Sequence, residues 1–365
     1  MRVALVIERF EPGVGGAESV AWRVAEGLAR AGDEVHVVAR RAAPRSNVVL
    51  HRVRAPSFWQ PLRVVAFSRA AARAAPRGDY DVVYSLARTL HQDLYRAGAG
   101  SHLDYLRRRH PTPARQLRRF SPRHAVLSEI DRRVFADASQ GIVCNSEMVR
   151  GEIERRHRVE PARLVLIRNG VACERFAGSG RERARLRGES SAGSDVVFLL
   201  AGSGFARKGL DTALHALASA RLDARLWVAG ADDIRPWQRL ARALGVAERV
   251  RFLGFRSDLE AVYAAADALL LPTRYDAFAN VCLEAAAAGL PVVTSAANGA
   301  AELFQDAGRI VEDPEDAPAF AAALESLAEP AARTRLGEAA RRVAAAHTWD
   351  AHVTALRALF ARVRA

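Results

Sequence analysis

Short apolar runs alternate with longer segments of helical period along most of the chain. Val3–Ile7 is the first run, and the loop Glu11-Pro12-Gly13-Val14-Gly15-Gly16 follows it. Ala17–Ala31 then carries Val20, Val24 and Leu28 on one helical face, and Gly32 closes it before the apolar run Glu34–Ala39. The same reading gives strands at Val48–Val53, Asp81–Ser85 and Gly141–Cys144. It gives helices near Leu62–Ala75 and Leu127–Ala138, and one from Glu147 capped by Asn145-Ser146. Residues 178–194 are polar and glycine-rich, and mark the start of a second domain. Val196–Ala201, a glycine-bearing loop to Gly209 and a helix to about Ala220 repeat the opening of the chain. The alternation continues with strand Leu226–Ala229, helix Trp237–Leu244, strand Val250–Leu253 and helix Asp258–Ala265. After Leu269–Leu271, helix Asn280–Gly289 and strand Val292–Thr294 come helices near Ala317–Leu327 and Ala331–Ala346. A last amphipathic segment carries Val353, Leu356, Leu359 and Phe360. Strand–helix alternation of this kind builds parallel sheets, and its restart predicts an α/β chain of two Rossmann-like domains facing each other.

Composition adds three points. A chain of 365 residues is long enough for two cores, and no apolar run reaches membrane-spanning length. The amino-terminal stretch reads as a strand rather than a signal peptide. The cysteines Cys144, Cys173 and Cys282 lie far apart with no C-x-x-C pair, which suits a reducing cytoplasm and argues against a disulfide or metal framework.

The net charge of +13 is carried by arginine: 53 of the 54 basic residues are Arg, and Lys208 is the single lysine. A basic surface favours anionic lipids, nucleic acids or acidic sugars. Tyr105–Ser128 holds seven arginines and no acid, with Pro111, Pro113 and Pro122 against one continuous helix. It reads as a solvated insertion, or as a docking surface on anionic membrane through Arg107–Arg123 with Leu117 and Phe120 as shallow anchors. Sparse aromatic residues there argue against nucleic acid.

The candidate chemistry gathers at strand carboxyl ends. Residues 271–294 read as strand end, polar loop, helix and strand, with backbone N–H groups near Phe278, Ala279 and Asn280 expected to be free to seat an anion. Asp276 and Glu284 stand eight positions apart, and Glu284 lies in an otherwise apolar helix where a carboxylate needs a partner. Arg207-Lys208 enters a helix after a glycine loop, where a diphosphate meets N–H groups and two cations together. His91 and Asp93 follow the strand at Val82–Tyr84. Gly13-x-Gly15-Gly16 lacks the third glycine of a dinucleotide fingerprint, so an NADP-dependent oxidoreductase reading Arg40 or Arg41 stays an alternative. A non-catalytic basic protein is a third reading.

Asp276-x7-Glu284 followed by Ala-x-Ala-x-Gly-Leu-Pro-Val-Val resembles the nucleotide-binding signature of retaining glycosyltransferases of family 4, which have the GT-B fold. The chain has Asp276 where the family usually has Glu, and Ala279 where it usually has Gly. The stretch Asp93–Gly98 with Ser101-His102 is similar to one in lipopolysaccharide core glucosyltransferases. The resemblance implies two facing domains with a cleft between them. Residues 1–170 would form the acceptor side, residues 171–347 would bind nucleotide sugar, and residues 348–365 would pack back on the first domain. It implies donor contacts from Gly204, Arg207, Lys208, Phe255, Arg256, Asp276, Phe278, Ala279, Asn280, Val281 and Glu284. Arg207 and Lys208 would take the diphosphate, Glu284 the ribose hydroxyls and Asp276 a donor-sugar hydroxyl. Gly15, Gly16, Glu18, His91 and Asp93 would line the acceptor side, with Asp93 joining Arg207, Lys208 and Asp276 in catalysis.

The activity implied is hexose transfer with retention from a nucleotide-diphosphate sugar to a glycan or glycolipid such as a lipopolysaccharide core. A UDP-sugar is favoured, and GDP-mannose is the other donor weighed. No Asp-x-Asp stands where it would hold a metal on the phosphates, and neither metal nor further cofactor is expected. The enzyme would be cytoplasmic and peripheral on the membrane.

Overall fold

The computed structural model describes residues 1–13, 15–56, 58–109, 121–178, 180–189 and 193–364. Arg115, Leu117, Arg118, Arg119 and Phe120 of the arginine-rich segment lie outside the described residues, as does the side chain of Arg109. Contacts divide the chain into two units, Met1–Asn169 with Trp349–Ala365, and Gly170–Thr348.

In the first unit the elements run β1 (Arg2–Val6), α1 (Gly16–Arg30), β2 (Glu34–Ala39), β3 (Val49–Arg52), α2 (Gln60–Ala74), β4 (Val82–Ser85) and β5 (Leu94–Arg96). Then come α3 (His102–Arg109), α4 (Pro122–Ala136), β6 (Gly141–Cys144), α5 (Glu147–His157) and β7 (Leu164–Leu166). The strands form one sheet in the order β3-β2-β1-β4-β5-β6-β7, all pairs parallel. Val3, Ala4, Leu5 and Val6 are all buried, as a strand covered on both faces requires. The apolar stripe Val20, Val24 and Leu28 of α1 is buried. Ser146 caps α5 by accepting the Val149 N–H at 3.2 Å.

The second unit repeats the plan: α6 (Gly180–Glu189), β8 (Val196–Ala201), α7 (Leu210–Ser219), β9 (Ala224–Ala229), α8 (Arg235–Ala243), β10 (Val250–Gly254) and α9 (Leu259–Ala265). β11 (Ala268–Leu271), α10 (Asn280–Ala287), β12 (Val292–Ser295), β13 (Gly308–Val311), α11 (Ala317–Glu325) and α12 (Pro330–Ala346) complete it. Its sheet is parallel throughout, in the order β10-β9-β8-β11-β12-β13. Each unit therefore has a point where the strand order reverses, between β1 and β4 and between β8 and β11. The loops leaving those strands splay apart and open a crevice at the carboxyl edge.

The last helix, α13 (Trp349–Arg364), belongs to the first unit. Val353, Leu356, Leu359 and Phe360 are buried in the core formed with β1 and α1, and Phe360 meets Tyr84 edge-on at 5.6 Å. Burial of such side chains stabilises by about 1.5–3 kcal/mol each. Gly27 of α1 permits the approach, because a Cβ there would stand 2.4 Å from Val353 Cγ2. Arg357 anchors the helix surface on Asp33, Nε to Oδ2 at 2.8 Å.

Candidate functional site

The reversal point of the second sheet brings Arg207-Lys208, after β8, to Asp276, after β11. Lys208 Nζ donates to Asp276 Oδ2 at 2.8 Å, and Arg207 Nη1 donates to the same oxygen at 2.9 Å and to the Tyr275 carbonyl at 3.1 Å. Lys208 is buried. Burial alone pushes the Asp276 carboxyl up, but the Lys208 and Arg207 charges and hydrogen bonds outweigh it and bring it down to about 2. Both cations expected to await a diphosphate are thus held by a carboxylate.

Backbone constraints fix this loop pair. Gly209 has φ +74°, and a Cβ on it would fall 1.9 Å from the Pro272 carbonyl oxygen, so only glycine lets the two loops touch. The Arg207 carbonyl accepts from the Arg274 N–H at 2.9 Å and from Thr273 Oγ1 at 3.1 Å. Asp232, beyond the end of β9, accepts the Gly204 and Phe205 N–H groups at 2.6 and 2.5 Å. Nothing in the spacing of Asp232 from the glycine loop signals that role.

At the amino end of α10 the expectation of free donors is corrected for two residues. The Phe278 N–H donates to Asp276 Oδ1 at 3.3 Å and the Ala279 N–H to Asn298 Oδ1 at 3.2 Å. Asn298 also takes the Ala300 N–H at 3.1 Å and donates to Thr294 Oγ1 at 3.1 Å and Cys282 Sγ at 3.2 Å. A single amide therefore ties the start of α10 to the loop after β12. Asn280 and Val281 are half-buried on the first turn of the helix.

Glu284 has the partner its apolar setting requires. Tyr263 Oη of α9 donates to Glu284 Oε2 at 2.9 Å, and the Tyr263 ring is fully buried. Burial raises the Glu284 carboxyl, against the Tyr263 hydrogen bond and the Arg175 and Lys208 charges. Burial and then the Glu284 charge raise the Tyr263 hydroxyl. Glu284 itself keeps partial exposure. Phe255, after β10, is 69% exposed, whereas Arg256 is paired with Asp258 through contacts of 2.8 and 2.5 Å. Among the described residues no cluster of three or more His, Cys, Asp or Glu is placed to hold a metal ion.

In the first unit one expectation is overturned. Asp93 stands before β5, at the amino edge of its sheet, where its Oδ1 pairs with Arg77 Nε at 2.7 Å and its Oδ2 accepts the Val83 N–H at 2.8 Å. It pins strand starts, at the edge opposite the carboxyl ends where ligands gather. His91 is exposed at the rim of an apolar cavity of about 630 Å³ between α2 and α4. Gly15 caps α1 with extended backbone, Gly16 begins the helix, and positive φ occurs at Gly13. Glu18 folds back over Gly15, its Oε2 only 2.6 Å from where a Cβ would stand.

Of the arginine-rich segment, Arg108 pairs with Glu152 at 3.0 Å and Arg107 is 61% exposed, 4.0 Å from Asp104. Among the described residues no helix is long and apolar enough to cross a membrane.

Family models match both halves: Glycosyltransferase Family 4 over residues 14–175, and Glycosyl transferases group 1 over residues 195–330. Between them the two glycosyltransferase models span most of the chain. It is 32% identical over 209 residues to lipopolysaccharide glucosyltransferase WaaG of Escherichia coli K12, covering 54% of this chain and 56% of that protein. The matches span about half the length of the first curated relatives. A crystal structure of WaaG, a glycosyltransferase involved in lipopolysaccharide biosynthesis, superposes with a TM-score of 0.85 over 98% of this chain and 99% of that one, at 24% identity. Anabaena HepE in complex with UDP-glucose superposes with a TM-score of 0.73 at 18% identity, over 99% and 98% of the two chains. These likenesses place the fold of the chain as GT-B.

Proposed function

We propose that this protein transfers a hexose, with retention, from a nucleotide-diphosphate sugar to a glycan or glycolipid of the cell envelope. The observation that carries the reading is the convergence of buried Lys208 and Arg207 on Asp276 at a strand-reversal point, with Glu284 held by Tyr263 on the helix that follows. A leaving diphosphate exchanges with Asp276 for the two cations, which neutralise the charge that grows on it. Asp276, once released, accepts a donor-sugar hydroxyl, and Glu284 accepts from the ribose hydroxyls. The departing phosphate takes the acceptor's proton on the same face of the sugar, so no pair of carboxylates set for hydrolysis is needed. Neither a metal nor a further cofactor enters this scheme. The UDP-glucose complex of the structural neighbour supports a UDP-sugar donor. The lipopolysaccharide glucosyltransferase relative supports a cell-envelope acceptor.

The enzyme works in the cytoplasm, docked on anionic membrane through the arginines of 107–123, of which Arg107 has a side chain 61% exposed. Thermal-shift measurements with UDP, GDP and NADP⁺ test the donor, and the anomeric configuration of the transferred sugar by NMR tests retention. Stabilisation by UDP and an unchanged anomer are the expected results. Stabilisation by NADP⁺ alone would overturn the reading.

A further inference from the structure

The crevice at the reversal point of the first sheet is a cavity of about 250 Å³. Ile7, Glu8 and Arg9 after β1, Arg40 after β2, Leu86 and Ala87 after β4, Glu18 on α1 and Arg63 on α2 line it. Its size is below the ~300 Å³ at which pockets begin to enclose drug-sized ligands, and suits one monosaccharide unit.

The electrostatics are unfinished. Arg40 Nε lies 3.2 Å and Arg63 Nε 2.8 Å from the same oxygen, Oε1 of Glu8. Among the described residues no acceptor is hydrogen-bonded to any terminal nitrogen of either guanidinium, although their side chains are only 14% and 24% exposed. The Nε atoms of Arg63 and Arg9 are buried with no aligned acceptor. Only Nε atoms are sealed from solvent, so the terminal nitrogens of Arg40 and Arg63 reach the cavity as open donors, and a planar fork is matched best by a phosphate or carboxylate. Glu18 has no cation within 4.0 Å among the described residues, leaving an acceptor for hydroxyls.

We propose that this cavity binds the acceptor sugar and selects one carrying an anionic substituent, a phosphate monoester or a carboxylate. Arg40 and Arg63 grip the anion with their terminal nitrogens, Glu8 holds both guanidiniums in place, and Glu18 reads a neighbouring hydroxyl. The inference rests on the transferase reading above, and names the chemistry of its acceptor half.

The test is calorimetric titration of the full chain with glucose, glucose 6-phosphate and glucuronate, with UDP as a reference in every preparation. Glucose 6-phosphate or glucuronate should bind saturably and on the order of tenfold tighter than glucose. Whichever of the two binds tighter tells a phosphorylated from a uronic acceptor. Arg40→Gln and Arg63→Gln should each remove that preference while UDP affinity and the unfolding midpoint hold, and Arg63→Lys should keep part of it. Charged sugars binding no better than glucose to a protein that binds UDP would overturn this inference and leave the transferase reading standing. NADP⁺ binding that depends on Arg40 would overturn both. Absence of UDP binding with charged-sugar binding intact would overturn only the donor reading.

Discussion

Lys208 Nζ and Asp276 Oδ2 are 2.8 Å apart at the strand-reversal point of the second unit, the single lysine of the chain paired with a carboxylate held at about pKa 2. Fifty-three other basic positions have arginine. The Lys208 stem runs beside Gly202, where an added Cβ would stand 3.4 Å from Lys208 Cε, and its ammonium is a compact point charge that a planar guanidinium does not reproduce. Lys208→Ala should abolish transfer and Lys208→Arg should retain only a small part, measured as sugar transferred per unit time. Wild-type turnover by Lys208→Ala would refute the role.

In the proposed reaction Asp276 competes with the diphosphate for both cations. Asp276→Asn should therefore tighten binding of bare UDP while lowering stability by about 3 kcal/mol, because Lys208 is left buried without its counter-charge. Transfer should fall, since the sugar hydroxyl loses its acceptor. Calorimetry and denaturant unfolding measure the two effects. A loss of UDP affinity matching that of Lys208→Ala would show that Asp276 positions the cations for the ligand instead.

Tyr263 is the hidden support of Glu284. Removing its hydroxyl leaves a half-buried carboxylate short of one donor, at a cost of about 1–3 kcal/mol in nucleotide affinity or stability. Glu284→Gln should weaken nucleotide binding, and Tyr263→Phe should weaken it less. Equal UDP affinity in wild type and both variants would remove Glu284 from the ribose site.

A pH dependence follows from His352 of α13. Burial lowers its pKa from 6.5 to about 4, against the hydrogen bond its Nδ1 makes with the Arg168 carbonyl. The unfolded chain binds this proton below pH 6.5 and the folded one only near pH 4. Its contribution is therefore complete above pH 6.5 and is lost as pH falls towards 4, on the order of 3 kcal/mol in all. His352→Asn should flatten the fall of the unfolding midpoint between pH 7 and 5. An unaltered slope would contradict the assignment.

The arginine-rich segment gives a separate expectation. Wild-type protein should co-sediment with anionic vesicles at low salt and be released at high salt, and replacing Arg107, Arg108, Arg109, Arg118 and Arg119 by Ser should abolish this. The Arg108 side chain is 38% exposed against 61% for Arg107, so it contributes less. Protein left in the supernatant at low salt would end the docking idea.

Periodicity made most of the strands and helices legible, because strands covered on both faces must be apolar throughout. It missed β5, β7 and β13, each of three or four residues. β5 includes Arg96, which is buried and donates to Asn169 Oδ1 at 2.7 Å, an exception no hydropathy pattern announces. Arg207, Lys208, Asp276 and Glu284 were readable as a group because loop and helix carry them past neighbouring strand ends. Asp93 was misread, since the extent of β5 had to be known to tell the amino edge of the sheet from the carboxyl edge. Asp232, Tyr263 and Asn298 act through contacts between elements distant in sequence, and local spacing says nothing of those.

The most direct measurement is calorimetric titration of the wild type and Lys208→Ala with UDP. The account predicts one saturable site in the wild type and a loss of 1.5–3 kcal/mol, about ten- to a hundredfold, in the variant. Equal UDP affinity in the two proteins, or a wild type that binds neither UDP nor GDP, would contradict it.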